Sequence, residues 1–244
     1  VAVVLAAAAV GIGLWLKRPQ PPTQGPVLKR VTFDSGLTTD PALSPDGKLV
    51  AYASDRSGEG NLDIWVQQLA GGEPVRLTRD PADDYEPVFS PDNSKIAFRS
   101  ERAGGGIYVI FTLGGEERLI APGGRRPQFS PDGSQIAYYV GDPKSGTAYA
   151  PGAAKIYIAS SGGGPSRQLE PKFDVAFSPT WAADGKHVIF GGLPSRGLLD
   201  STAPERDFWV ASLDGGPAVK TGVLSALAKQ KLTFPSTYSH LCAA

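Results

Sequence analysis

Nucleophilic catalysis needs a base within reach of a Ser, Thr or Cys, and that base is most often His. This chain of 244 residues has two His, His187 and His240, and one Cys, Cys242. His187 falls inside the apolar stretch Lys186-His187-Val188-Ile189-Phe190, where packing or simple exposure is its ordinary role, and His240 and Cys242 lie in the C-terminal tail. No Gly-x-Ser-x-Gly elbow accompanies them. Ser44, Ser90 and Ser130 recur, but each precedes a Pro-Asp pair and reads as a hydroxyl that bonds its own turn. Gly11-Ile12-Gly13 sits in an apolar run, not between a strand and a helix, and no Gly-x-x-x-x-Gly-Lys-Ser/Thr occurs. Two His and one Cys so far apart cannot build a zinc site, and Asp80-x-x-Asp83-Asp84 lacks the Asp-x-Asp-x-Asp-Gly spacing of a calcium loop. These residues point to binding without a metal or cofactor rather than to catalysis.

The charges that could grip a ligand are grouped. One connection is acidic (Asp80, Asp83 and Asp84, then Tyr85 and Glu86), the next is basic (Arg125 and Arg126), and Arg102 stands in a neighbouring connection. A rim with both signs suits a zwitterionic or peptide-like partner; for each residue taken alone, plain solvation of a loop is the competing reading. Two longer stretches, 141–154 with Tyr149 and 192–206 with Leu198, Leu199 and Asp200, read either as lids and partner contacts or as surface excursions, since lengthening a loop costs little. The candidate ligand or partner face is Asp83, Asp84, Tyr85, Arg102, Arg125, Arg126, Tyr149 and Phe173. Lys plus Arg equals Asp plus Glu at 24 each, so no global field draws nucleic acid.

The elements that position these groups follow from a repeat. Ser44-Pro45-Asp46-Gly47 recurs as Ser90-Pro91-Asp92-Asn93, as Ser130-Pro131-Asp132-Gly133 and more loosely as Ala182-Ala183-Asp184-Gly185, with spacings of 46, 40 and 52 residues. Pro presets φ at the second turn position, Asp suits the third, and the fourth needs a left-handed backbone, which Gly fills three times and Asn93 once. After each turn comes an apolar-rich strand (48–54, 95–100, 135–140, 186–190), then a third strand with a central aromatic (Trp65, Tyr108, Tyr157, Trp209), then a glycine-pair turn into a fourth. A four-stranded antiparallel unit cannot cover both of its own apolar faces, so the units must stack around an axis. In that arrangement the turn motifs share one face, and the variable loops, where function concentrates, share the other. The 30 Gly and 22 Pro agree with an all-β fold of many short strands.

The x-Phe-Ser-Pro-Asp-Gly start, the Ile-Ala-Tyr or Ile-Ala-Phe second strand and the Leu-Gly-Gly turn resemble TolB-like β-propeller repeats, relatives of the WD40 pattern, over about residues 28–220. The resemblance implies four-stranded blades. With four recognisable here, it implies an incomplete ring, and Leu28 to Phe33 matches the outer strand that in such propellers closes the last blade.

Residues 1–16 carry no charge, Trp15 is their one hydrogen-bonding side chain, and Lys17 and Arg18 follow. The expectation is a transmembrane anchor truncated at its start (1–18), with a cleaved signal peptide as the competing reading. A Pro-rich linker (19–27), the propeller (28–222) and the start of a further blade or a tail (223–244) complete the expected domains. Anchor, spacer and propeller in that order resemble the extracytoplasmic half of membrane-anchored bacterial serine/threonine protein kinases. That implies a periplasmic or extracellular sensor or docking module whose kinase domain lies upstream. Alternatives are a periplasmic TolB-like scaffold and the propeller of a prolyl-oligopeptidase-like peptidase with its hydrolase domain elsewhere.

Overall fold

The computed structural model describes residues 25, 28, 30–33, 35–142, 154–194 and 207–230. The chain divides into two units, residues 1–33 and 34–244, and the described residues of the first form no helix or strand. The match of Leu28 to Phe33 to an outer strand is therefore not realised in the residues described. The expected anchor, 1–16, lies outside the described residues, among which no helix is long and apolar enough to cross a membrane.

The second unit is a succession of four-stranded antiparallel sheets. The first contains β1 (Thr38–Leu43), β2 (Leu49–Ser54), β3 (Asp63–Gln68) and β4 (Val75–Arg76); the second contains β5 (Asp84–Phe89), β6 (Lys95–Ser100), β7 (Gly106–Phe111) and β8 (Arg118–Pro122). The third contains β9 (Gly124–Phe129), β10 (Gln135–Gly141), β11 (Ala154–Ser160) and β12 (Arg167–Leu169); the fourth contains β13 (Phe173–Trp181), β14 (His187–Pro194), β15 (Asp207–Ser212) and β16 (Val219–Lys220). One parallel bridge, Ala154 to Val175, joins the third and fourth sheets into a continuous ladder. A short helix, α1 (Val223–Lys229), follows where a further blade or a tail was expected.

The second strands explain the stacking. Phe98, Tyr138 and Phe190 occupy equivalent positions, and each packs its ring against the preceding sheet. Ala51, Ala97 and Ala137, one residue earlier in the strand, face the following sheet, where their small side chains leave room for the neighbour's ring. The side-chain period of two thus gives the second and third sheets a knob on one face and a hollow on the other. Three apolar clusters result, one between each pair of successive sheets, and together they form the core.

The turn motif is held by its own side chains. Ser44 Oγ donates to Asp46 Oδ1 at 2.7 Å and accepts the Leu49 N–H at 2.8 Å, while Asp46 Oδ1 accepts the Lys48 N–H at 3.1 Å. The same bonds form around Ser90 and Ser130. The serine hydroxyls hold the Asp92 and Asp132 carboxyls at about 2. In the fourth motif Ala182 has no hydroxyl, and His187 stands in: its N–H reaches Asp184 Oδ1 at 3.1 Å and its Nδ1 meets Oδ2 at 2.6 Å. The fourth turn position is left-handed in all four, with φ of 67° at Gly47, 62° at Asn93, 72° at Gly133 and 65° at Gly185. Gly47→Val is expected to lower stability by about 1–2 kcal/mol, the cost of a left-handed backbone carrying a Cβ. Asn93→Gly should cost less, about 0.5–1 kcal/mol, because it relieves the left-handed backbone but removes the oxygen that accepts the Asp46 N–H at 3.2 Å, and urea unfolding midpoints compare the two.

Candidate functional site

The first strand of each sheet carries a bulge. Between Thr39 and Ala42, Tyr85 and Val88, Arg125 and Gln128, and Phe177 and Thr180 the register slips, so two residues oppose one on the second strand. Those two residues are Asp40-Pro41, Glu86-Pro87, Arg126-Pro127 and Ser178-Pro179. The residue opposite each pair is a buried aromatic, Tyr52, Phe98, Tyr138 or Phe190. Proline suits a bulge because it has no N–H to lose from the ladder. The residue before it adopts a left-handed backbone in all four sheets, with φ of 50° at Asp40, 54° at Glu86, 49° at Arg126 and 48° at Ser178. These are four of the seven non-glycine residues with positive φ among those described. Such strain, roughly 1–3 kcal/mol per residue, persists only where the surroundings enforce it.

The four bulges line one cavity of about 420 Å³ at the centre of the first strands, walled by their prolines together with Ala42, Leu43, Val88 and Gln128. Glu86 and Arg126 meet across two sheets: the Arg126 N–H donates to Glu86 Oε2 at 2.8 Å, and Nε lies 3.5 Å from Oε1. Burial pushes the Glu86 carboxyl above its ordinary range, against the pull of Arg126. Asp40 adds a second carboxylate and Ser178 a hydroxyl.

Next to Glu86, at the end of the cavity where the sheets connect to one another, Tyr85 donates its hydroxyl to Glu101, which also accepts from Arg99 Nε at 3.1 Å and Nη2 at 2.8 Å. Arg99 in turn donates Nη1 to the Gly124 carbonyl at 2.6 Å, tying the second sheet to the third. Arg125 adds positive charge near Glu101.

The remaining residues singled out in the sequence go elsewhere. Asp84 is fully buried, and Arg102 Nη2 contacts its two oxygens at 3.1 and 2.9 Å. Arg102 also bonds Ser100 Oγ at 2.7 Å, pairs with Glu117 and lies 4.6 Å from the centre of the Tyr108 ring. Burial raises the Asp84 carboxyl to about 6. Asp83 Oδ1 accepts the Leu62 N–H at 2.8 Å, and Asp80 Oδ1 accepts the Ala82 N–H at 2.9 Å, so two carboxylates of the acidic connection hold backbone. The Phe173 ring is buried edge-on against Phe190 and Trp209. Tyr149 lies outside the described residues, as do His240 and Cys242.

Of the face expected from the sequence, Arg126 lines the cavity, Tyr85 and Arg125 sit beside it, and Asp84 with Arg102 forms a separate buried pair. Glu86 was named with the acidic connection, whereas Asp40 and Ser178 were not singled out as ligand groups. The signal that finds them is a proline three residues before each turn motif (Pro41, Pro87, Pro127, Pro179), repeating with the period of the turns.

Comparison with known proteins agrees with this architecture. TolB from Acinetobacter baumannii superposes with a TM-score of 0.57 at 21% identity over 76% of this chain and 43% of its own length. A putative TolB from Agrobacterium tumefaciens gives 0.57 at 20% identity over 75% and 64%, respectively. The β-propeller domain of the trilobed protease from Pyrococcus furiosus gives 0.50 at 18% identity over 76% and 57%. The chain thus spans between 43% and 64% of the length of these relatives. Residues 23–150, more than half of the chain, match the TolB beta propeller domain family. With its repeated turn motif, its four-stranded sheets and its inter-sheet aromatics, the chain belongs to the TolB β-propeller domain family.

Proposed function

We propose that this propeller is a protein- or peptide-binding module, held outside the cytoplasm by the apolar segment 1–16 and acting as the sensor or docking half of a membrane-anchored serine/threonine kinase. The observation that carries the binding role is the axial cavity. A scaffold that only had to be rigid would fill its axis with apolar side chains; this one keeps Asp40, Glu86 and Arg126 there on strained backbone, with the Glu86 carboxyl desolvated. The apolar segment, the Pro-rich spacer and the order of the parts support the membrane-anchored reading. On this reading the ligand meets Tyr85, Arg125 and Arg126 first, with Asp83 and Tyr149 as further contacts, while Asp84, Arg102 and Phe173 hold the scaffold beneath. Similarity to a protease propeller supports a second reading, in which the same axis admits substrate to a hydrolase domain elsewhere in a longer protein.

Selection from a displayed library of random peptides on the immobilised propeller tests the binding role. Peptides recovered on the wild type should be lost on an Arg125→Ala, Arg126→Ala double variant and retained on Lys48→Ala, which alters only the opposite face. Recovery of the same peptides on all three would overturn it.

A further inference from the structure

The charge pairing inside the cavity is incomplete in a specific way. Among the described residues, Arg126 uses its backbone N–H and Nε on Glu86, and its two terminal guanidinium nitrogens reach no acceptor. Asp40, on the first sheet, lines the same cavity with no ion pair and no hydrogen bond to its carboxylate among those residues. The Ser178 hydroxyl, on the fourth sheet, is likewise without a partner among them. One cavity therefore offers a spare carboxylate from one blade, two spare guanidinium donors from another and a hydroxyl from a third.

That set discriminates between ligands. A lone cation drawn to Asp40 would meet the Arg126 guanidinium, and a lone anion drawn to Arg126 would meet Asp40 and Glu86. A ligand with an ammonium group and a carboxylate at opposite ends satisfies both, and the proline walls give its body an apolar seat. A volume of about 420 Å³ falls within the range of small-ligand sites, about 300–1,000 Å³. Partly buried pairs of this kind are charge-assisted, and a guanidinium can take a carboxylate with two parallel bonds.

We infer that the axial cavity binds a short peptide with free termini, its ammonium group at Asp40 and its carboxylate at the Arg126 guanidinium, with Ser178 as an additional donor. The inference rests on the binding-module reading and names the ligand class for it. It would make the propeller a receptor for free oligopeptides in addition to any protein that docks on its loop face.

Titration calorimetry with triglycine, N-acetyl-triglycine and triglycine amide tests it, on the whole chain and on variants whose circular dichroism and melting match the wild type. Triglycine should bind, and Asp40→Asn and Arg126→Gln should each weaken it about tenfold, the scale of one charge-assisted contact. Acetylation should remove the effect of Asp40→Asn alone, and amidation the effect of Arg126→Gln alone. Absence of triglycine binding at millimolar concentration, or binding indifferent to both blocking groups, would overturn the inference. If the peptides selected on the immobilised propeller still bind Asp40→Asn while triglycine binds nowhere, the inference fails and the binding-module reading stands. If neither binds, both fail.

Discussion

Phe98→Ala should cost about 3–5 kcal/mol of stability, the usual price of deleting a buried aromatic ring from a packed core. Phe98 is fully buried, lies 6.0 Å from the Tyr108 ring in a near-parallel stack, and fills the space beside Ala51 and Ala53 of the preceding sheet. Removing it empties the contact between two sheets rather than one pocket within a sheet. Phe98→Leu should recover more than half of the loss, since much of the volume returns. Urea midpoints with unchanged slope would show that the effect is on stability alone. A loss below about 1 kcal/mol would mean that neighbouring blades do not depend on one another for burial.

Arg102→Met should destabilise the protein by about 1–2 kcal/mol near pH 7, because Asp84 loses its ion-pair partner and must take up a proton to stay buried. Methionine keeps an apolar stem over Tyr108, so lost packing contributes little. The pH dependence separates charge from packing. The Asp84 carboxyl sits at about 6 in the folded protein, above its ordinary 3.8. Folding therefore disfavours its ionised form, and its contribution to stability is greatest below about pH 4 and declines as pH rises through 6. Without Arg102 the folded carboxyl moves higher still, which extends the decline past neutrality. Near pH 5 Asp84 carries its proton in both proteins, so the deficit of the variant should be smaller there than at pH 7 by about 1 kcal/mol, one pH unit's worth of linkage. Equal deficits at the two pH values would assign the whole effect to packing.

The strands at the heart of each blade were readable to within a few residues. Lys95 to Ser100 was expected and is β6; the strand expected around Trp65 is β3, Asp63 to Gln68. The fourth blade was the least legible. Its second strand was expected to end at Phe190 and runs to Pro194, because Gly191 and Gly192 carry no side chain to mark them as strand, yet sit against the rings of Phe177 and Phe173. The bulge that these first strands share was not legible for a related reason. Asp40, Glu86, Arg126 and Ser178 share a backbone conformation and not a chemistry, so no residue type repeats at that position. The proline after each does repeat, but it carries no charge and draws no attention in a search for binding groups.

The sequence by itself determined the number of blades, their strand order and the turns that start them. Those depend on contacts between residues close along the chain, where a left-handed position, a proline and an alternating apolar pattern leave few conformations open. Which charges meet was decided only by the tertiary structure. Glu86 and Arg126 are 40 residues apart, and Asp84 and Arg102 are 18 apart. Nothing in the linear order distinguishes the pair that holds the scaffold from the pair that lines the axis. Burial separates them: Asp84 is sealed beneath the loops that carry it, while the bulge beside it turns Glu86 toward the centre, where the four first strands converge.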